Sequence, residues 1–160
     1  HKGPVYLRFG RPKVPNFTEA NQNFQIGKGV KLFDGNDVTI VATGHLVWEA
    51  IKSAEKLFKE GISVDLINIH TIKPLDSEII LESISKTGCI VSAEEHNIIG
   101  GLGESISRIL TQNKLVPMEF VAVNDTFGES GSPMDLMKKY KLDSENICVR
   151  AKKALERKSN

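Results

Sequence analysis

Glu94, Glu95 and His96 stand side by side, and Gly100-Gly101-Leu102-Gly103-Glu104 follows four residues after the histidine. Carboxylates and an imidazole can move protons or hold a metal ion. His96 has no second histidine nearby, but His45 and His70 each close another apolar run, so three imidazoles could converge. Against one shared site, Glu94 and Glu95 point to opposite sides of an extended chain. Such residues also cap helices or line interfaces, and His96 is retained as a candidate interface residue. Bare N–H groups of Gly100, Gly101 and Gly103 ahead of a helix, with Glu104, could cradle a small anion or effector. Equally, a Gly-Gly-x-Gly run lets a strand and a helix approach closely. The run lacks the lysine of a P-loop and the GxGxxG spacing. Arg11, beside Gly10 and without an acidic neighbour, could hold a phosphate bidentately or be an ordinary surface arginine. No serine sits in a nucleophile elbow. Gly128 to Ser132, ahead of Pro133, reads as a flexible turn with Pro in the first helical turn. These residues assign no catalytic group and no metal site.

The elements that must position these groups follow from periodicity. Residues 4–9 alternate and are β-rich, which predicts a strand cut from its sheet and expected to dock loosely; Arg8 on it faces solvent. Residues 16–23 are polar and aperiodic, a linker by composition. Strands are expected over 25–33, 38–42, 64–69, 90–93 and 118–123. Helices are expected over 46–60, with an apolar face of Leu46, Ala50, Ile51, Ala54, Leu57 and Phe58; behind Asp76, with Ile79, Ile80 and Ile84 on one face; over 106–110; over 133–140; and over 145–155 behind Asp143 and Ser144. Gly61 ends the first of them. Alternating strands and helices imply right-handed βαβ units in a three-layer α/β/α sandwich. The first strand joins the second by a short turn at Asp34–Asp37, so the two run in opposite senses without having to be neighbours. Open sheets of this kind bind ligands beyond the carboxyl ends of their strands, which singles out the loops at 43–45, 70–72, 94–103 and 124–132.

The totals exclude other classes. At 160 residues, one compact domain can bury roughly two-thirds of its unfolded surface without a staple. Twenty-one basic and twenty acidic side chains leave a charge of +1, with no electrostatic reason to expect nucleic acid or an anionic membrane. Cys89 and Cys148 read as small core residues in a reducing, cytoplasmic setting. No signal peptide or membrane-length apolar run is present. His1 is not a natural start, so a piece of a longer protein is expected.

Several segments together resemble the transketolase family, above all its shorter bacterial and archaeal members with a separate C-terminal subunit. They are Val5 to Pro12, Phe24-Gln25-Ile26-Gly27, Thr71-Ile72-Lys73-Pro74-Leu75-Asp76, Glu94-Glu95-His96 with Gly100 to Glu104, and Phe127-Gly128-Glu129-Ser130-Gly131 running into Asp135-Leu136. The resemblance implies a homodimeric three-domain enzyme of the pentose phosphate pathway that uses thiamine diphosphate and Mg2+ (or Ca2+). It implies that residues 1–15 are the tail of a pyrimidine-binding domain, 16–23 a linker and 24–160 the C-terminal domain, with a five-stranded mixed sheet whose first strand is antiparallel. That domain serves dimer contact and architecture, with a proposed effector-binding role. The resemblance also implies that Arg11 contacts the phosphate of a sugar-phosphate substrate. The Gly-Asp-Gly and Asn that would hold metal and diphosphate are missing, and the activating glutamate would lie upstream. Ketol transfer is therefore expected of the parent enzyme, and the chain alone is expected to be inactive and to bind no cofactor. Alternatives are deoxyxylulose-phosphate synthase, a 2-oxoacid dehydrogenase β subunit, or a non-catalytic small-anion-binding regulatory module. The Phe127–Gly131 segment and the Arg11-Pro12 ending favour transketolase.

Overall fold

A computed structural model describes residues 2–8, 10 and 13–159. Its strands and helices run in the order β1 (Val30–Phe33), β2 (Val38–Ala42), α1 (Leu46–Lys59), β3 (Val64–Asn68), α2 (Ser77–Thr87), β4 (Ile90–Asn97), α3 (Leu102–Asn113), β5 (Met118–Val123), α4 (Pro133–Lys139) and α5 (Ser144–Ser159). The five strands form one sheet in the order β1-β3-β2-β4-β5. β1 pairs antiparallel with β3 at an edge, and the other pairings are parallel. The expected three-layer sandwich and the antiparallel first strand are both present.

β2 and β3 are buried along their whole length, which is why they read as continuous apolar runs. Val38, Ile40 and Ala42 face one core with Leu46, Ala50 and Leu57 of α1 and Ile147, Ala151 and Ala154 of α5. Val41, Ile67 and Ile90 face a second core with Ile80 and Ile84 of α2 and Leu102, Ile106 and Leu110 of α3. Cys89 and Cys148 are free and buried, as expected. Asp143 accepts from Asn146 N at 2.9 Å, opening α5 as its sequence predicts.

Four local expectations are corrected. Residues 4–8 form no strand, and Val5, Tyr6 and Leu7 are exposed; with no neighbouring strand, their backbone has no ladder to join. Residues 25–29 are not strand either, because Gly27 takes φ +84 in a turn closed by Lys28 N on Gln25 O. Phe58 is 74% exposed, since it falls on the flank of the α1 stripe that Leu46, Ala50, Ala54 and Leu57 define. Asp76 holds the N-cap position of α2 but makes no capping bond; its carboxylate accepts from Gly29 N at 2.9 Å, tying the entry to β1 onto α2.

The sheet contains buried carboxylates with partners. Asp65 accepts from Ser83 Oγ at 2.5 Å and lies 3.5 Å from Lys31 and 3.3 Å from Lys86. Burial by itself would push the Glu119 carboxyl up, but hydrogen bonds from Arg157, Lys153 and Arg150 outweigh it and hold it below the usual range. Asp37 is held low by the Ser63 backbone N–H and then its hydroxyl. A depressed folded pKa contributes stability above the unfolded value and loses it as pH falls through the folded one. The thermal midpoint should therefore hold above about pH 5 and fall below about pH 4. Glu119→Gln should flatten part of that acid decline in a pH series of melts; an unchanged slope would remove Glu119 from the account.

Candidate functional site

The chain leaves β2 through α1 to reach β3 on one side, and leaves β4 through α3 to reach β5 on the other. β2 and β4 are neighbours, so their carboxyl ends open onto a topological switch point, where crevices form. A cavity of about 590 Å³ lies there, lined by Thr43, Gly44 and His45 before α1, Glu94, Glu95 and His96 at the end of β4, and Gly100 and Gly101 before α3. Arg8, Gly10, Ile72 and Leu102 complete it.

The glycine run is built around Glu94. α3 has Gly101 at its N-cap, so no capping side chain is available there and the first N–H groups need partners from elsewhere. Glu94, only 3% exposed, supplies them: its Oε2 accepts from Leu102 N at 2.7 Å and its Oε1 from Gly103 N at 2.8 Å. The helix dipole adds a favourable field for the buried carboxylate. Glu104 reaches back to accept from Gly100 N at 2.8 Å, in the manner of a capping box. Gly100 has φ +82, a conformation that favours glycine. A Cβ on Gly101 would collide with the Glu94 carboxylate, and one on Gly103 would stand 2.6 Å from the Phe120 ring. The glycines therefore permit close approach, and the anion in the cradle is the domain's own Glu94. Sequence reading missed this role; the signal for it was a helix opened by glycines, with acidic residues at the preceding strand end.

Glu94 and Glu95 differ in burial and in partners, although both border the cavity. Glu95, with its side chain 49% exposed, pairs with His45 Nδ1 at 2.8 Å, joining the end of β4 to the start of α1. His96 is exposed, lines the same cavity and donates from Nδ1 to the Asn97 carbonyl at 2.8 Å. His70 is absent from the lining; it stacks on Phe24 with ring centroids 4.4 Å apart and bonds the Thr71 hydroxyl. His45 and His96 thus share the cavity without His70, and among the described residues no group of three or more His, Cys, Asp or Glu side chains could hold a metal ion. Arg8 is exposed and borders the cavity, while Arg11 lies outside the described residues.

Residues 27–147, which hold all five strands, α1 to α4 and the first turn of α5, match the family pattern "Transketolase, C-terminal domain". The chain belongs to the transketolase family. It is 42% identical over 159 residues to a 6-deoxy-6-sulfo-D-fructose transketolase subunit of Clostridium sp. (strain MSTE9), covering 99% of this chain and 49% of that protein. It is 36% identical over 146 residues to the 1-deoxy-D-xylulose-5-phosphate synthase of Caldanaerobacter subterraneus subsp. tengcongensis, covering 90% of this chain and 24% of that enzyme. A solved structure described as "Split gene transketolase, inactive beta4 tetramer" superposes with a TM-score of 0.88 at 39% identity, covering 91% of this chain and 48% of the other. This transketolase C-terminal domain spans about half the length of the transketolase relatives it matches. Among its described residues, no helix is long and apolar enough to cross a membrane.

Proposed function

We propose that this transketolase C-terminal domain works as the C-terminal section of a homodimeric enzyme that moves a two-carbon ketol unit between a ketose phosphate and an aldose phosphate. The carrying observation is that nearly all of the chain matches about half of a transketolase subunit. In this reading residues 1–15 are the tail of the pyrimidine-binding domain, 16–23 a linker and 24–160 the C-terminal domain. The third domain supplies assembly surface, His96 included, and Arg11 contacts the substrate phosphate. The family depends on thiamine diphosphate. Among the described residues the donors do not fit that group and its divalent cation: Glu94 already satisfies two N–H groups, and no metal-ligand cluster is present. Both observations support the reading in which cofactor and Mg2+ (or Ca2+) are held by the N-terminal section.

Ketol transfer should be missing from this chain alone and present once the N-terminal section is added. In that assembly Arg11→Ala should raise the KM for phosphorylated substrates about ten- to a hundredfold, the loss of ~1.5–3 kcal/mol for a charge-assisted contact. Steady-state kinetics on phosphorylated donors checks it, and an unaltered KM would remove Arg11 from substrate binding. Synthase chemistry has support in the 36% match, but identity to the transketolase subunit is higher, at 42%, which favours ketol transfer.

A further inference from the structure

α5 lies against β5, the edge strand of the sheet, and carries Arg150, Lys153 and Arg157 along one stripe at i, i+3 and i+7. All three converge on Glu119, near the start of β5. Arg150 and Lys153 each reach its Oε2 at 3.1 Å, and Arg157 reaches its Oε1 at 2.7 Å. The Glu119 side chain is only 5% exposed, whereas those of Lys153 and Arg157 are half exposed. The anion is thus the inner layer of the cluster and the cations the outer one. Three positive charges against one negative leave a local surplus of two, although the whole chain carries only +1. Among the described residues no second carboxylate forms an ion pair with any of the three. The Nε of Arg150 is buried and has no acceptor among the described residues. Arg157 is fixed further by donating to the Met118 carbonyl at 2.8 Å. The cluster therefore combines held cationic heads, an unsatisfied donor and unbalanced charge, at the end of the sheet opposite the switch-point crevice.

We propose that Arg150, Lys153 and Arg157 form a binding site for a small, soluble, phosphate-bearing anion, with Glu119 as the base that holds their heads together. A phosphate monoester carries close to two negative charges near neutral pH, which matches the surplus. The two guanidinium groups supply planar, paired donors suited to phosphoryl oxygens, and the lysine adds a point charge. Three heads gathered around one carboxylate make the footprint of a single phosphoryl group. A nucleic acid or an anionic membrane would call for charge spread along a longer face. The site is independent of the substrate role proposed for Arg11.

The test titrates inorganic phosphate into the chain by calorimetry, at an ionic strength held constant with NaCl so that screening is the same throughout. One saturable site per chain is expected. Lys153→Gln and Arg157→Gln should each weaken it about five- to tenfold, short of the full loss of a charge-assisted contact because both heads are half exposed. Lys152→Gln is the control. It removes the same charge from the same helix, but Lys152 pairs with Glu60 instead, so phosphate affinity should stay as it was. If the wild-type chain shows no saturable binding, or if Lys152→Gln weakens binding as much as Lys153→Gln does, the site is overturned. Phosphate binding that appears only in Glu119→Gln would overturn it as well, because the three cations would then be committed wholly to the carboxylate.

Discussion

Replacing Glu94 with alanine is expected to lower the thermal midpoint of the domain by about 8–16 °C, the shift that ~4 kcal/mol produces in a domain of this size. Two charge-assisted hydrogen bonds disappear, and Leu102 N and Gly103 N are left buried without acceptors. Each such bond is worth about 1.5–3 kcal/mol, and the stranded donors add their own desolvation cost. Gly101 at the N-cap offers no side chain to take over. Glu94→Gln keeps the volume and one acceptor oxygen, so it should cost about half as much, with the amide nitrogen facing one N–H. Calorimetry on the two variants decides the matter. A midpoint within a degree or two of wild type for Glu94→Ala would mean that water satisfies the start of α3.

The second large effect is at Gly101. Its φ of −99 suits any residue, so the need for glycine here is one of space. An added Cβ would lie 2.7 Å from the Glu94 Cδ, inside van der Waals contact, and would drive the carboxylate off its two donors. Gly101→Ala is therefore expected to cost about 3 kcal/mol, in the range of overpacking plus a broken buried hydrogen bond. The diagnostic measurement is a double-mutant cycle. With Glu94 already alanine the obstacle is gone, and Gly101→Ala should become nearly neutral, giving a coupling of about 2–3 kcal/mol. Gly103 supplies the control. Its added Cβ would meet the Phe120 ring at 2.6 Å, an obstacle that does not involve Glu94. The cost of Gly103→Ala should accordingly persist in the Glu94→Ala background. Additive energies at Gly101 would show that its space is not reserved for Glu94.

Much of the architecture was legible in local patterns. Val38–Ala42 and Val64–Asn68 read as buried strands because both faces are covered, and the helix openings at Pro133 and Asp143 follow from local chemistry. The failures came where a neighbour outside the segment decides. Residues 4–8 have the alternation of a strand but no strand beside them. Phe58 continues the apolar pattern of α1 past the edge of what the sheet covers. Asp76 stands where a cap belongs, yet Gly29 N, brought close by the β1–β3 pairing, claims its carboxylate.

By itself, the sequence determined the class of fold, the run of elements, the buried cysteines and the family. All of these rest on interactions within a few residues or on a pattern spread along the chain. Only the tertiary structure decided the strand order, and with it the switch point between β2 and β4 where His45 meets Glu95. It also decided which anion fills the cradle before α3. Strand pleating sends alternate side chains inward, and only the packing of α3 against β4 brings Glu94 within 2.7 and 2.8 Å of two N–H groups eight and nine residues away. Sequence spacing carries no record of such a distance, because it arises from the close approach of two elements that the loop glycines merely permit.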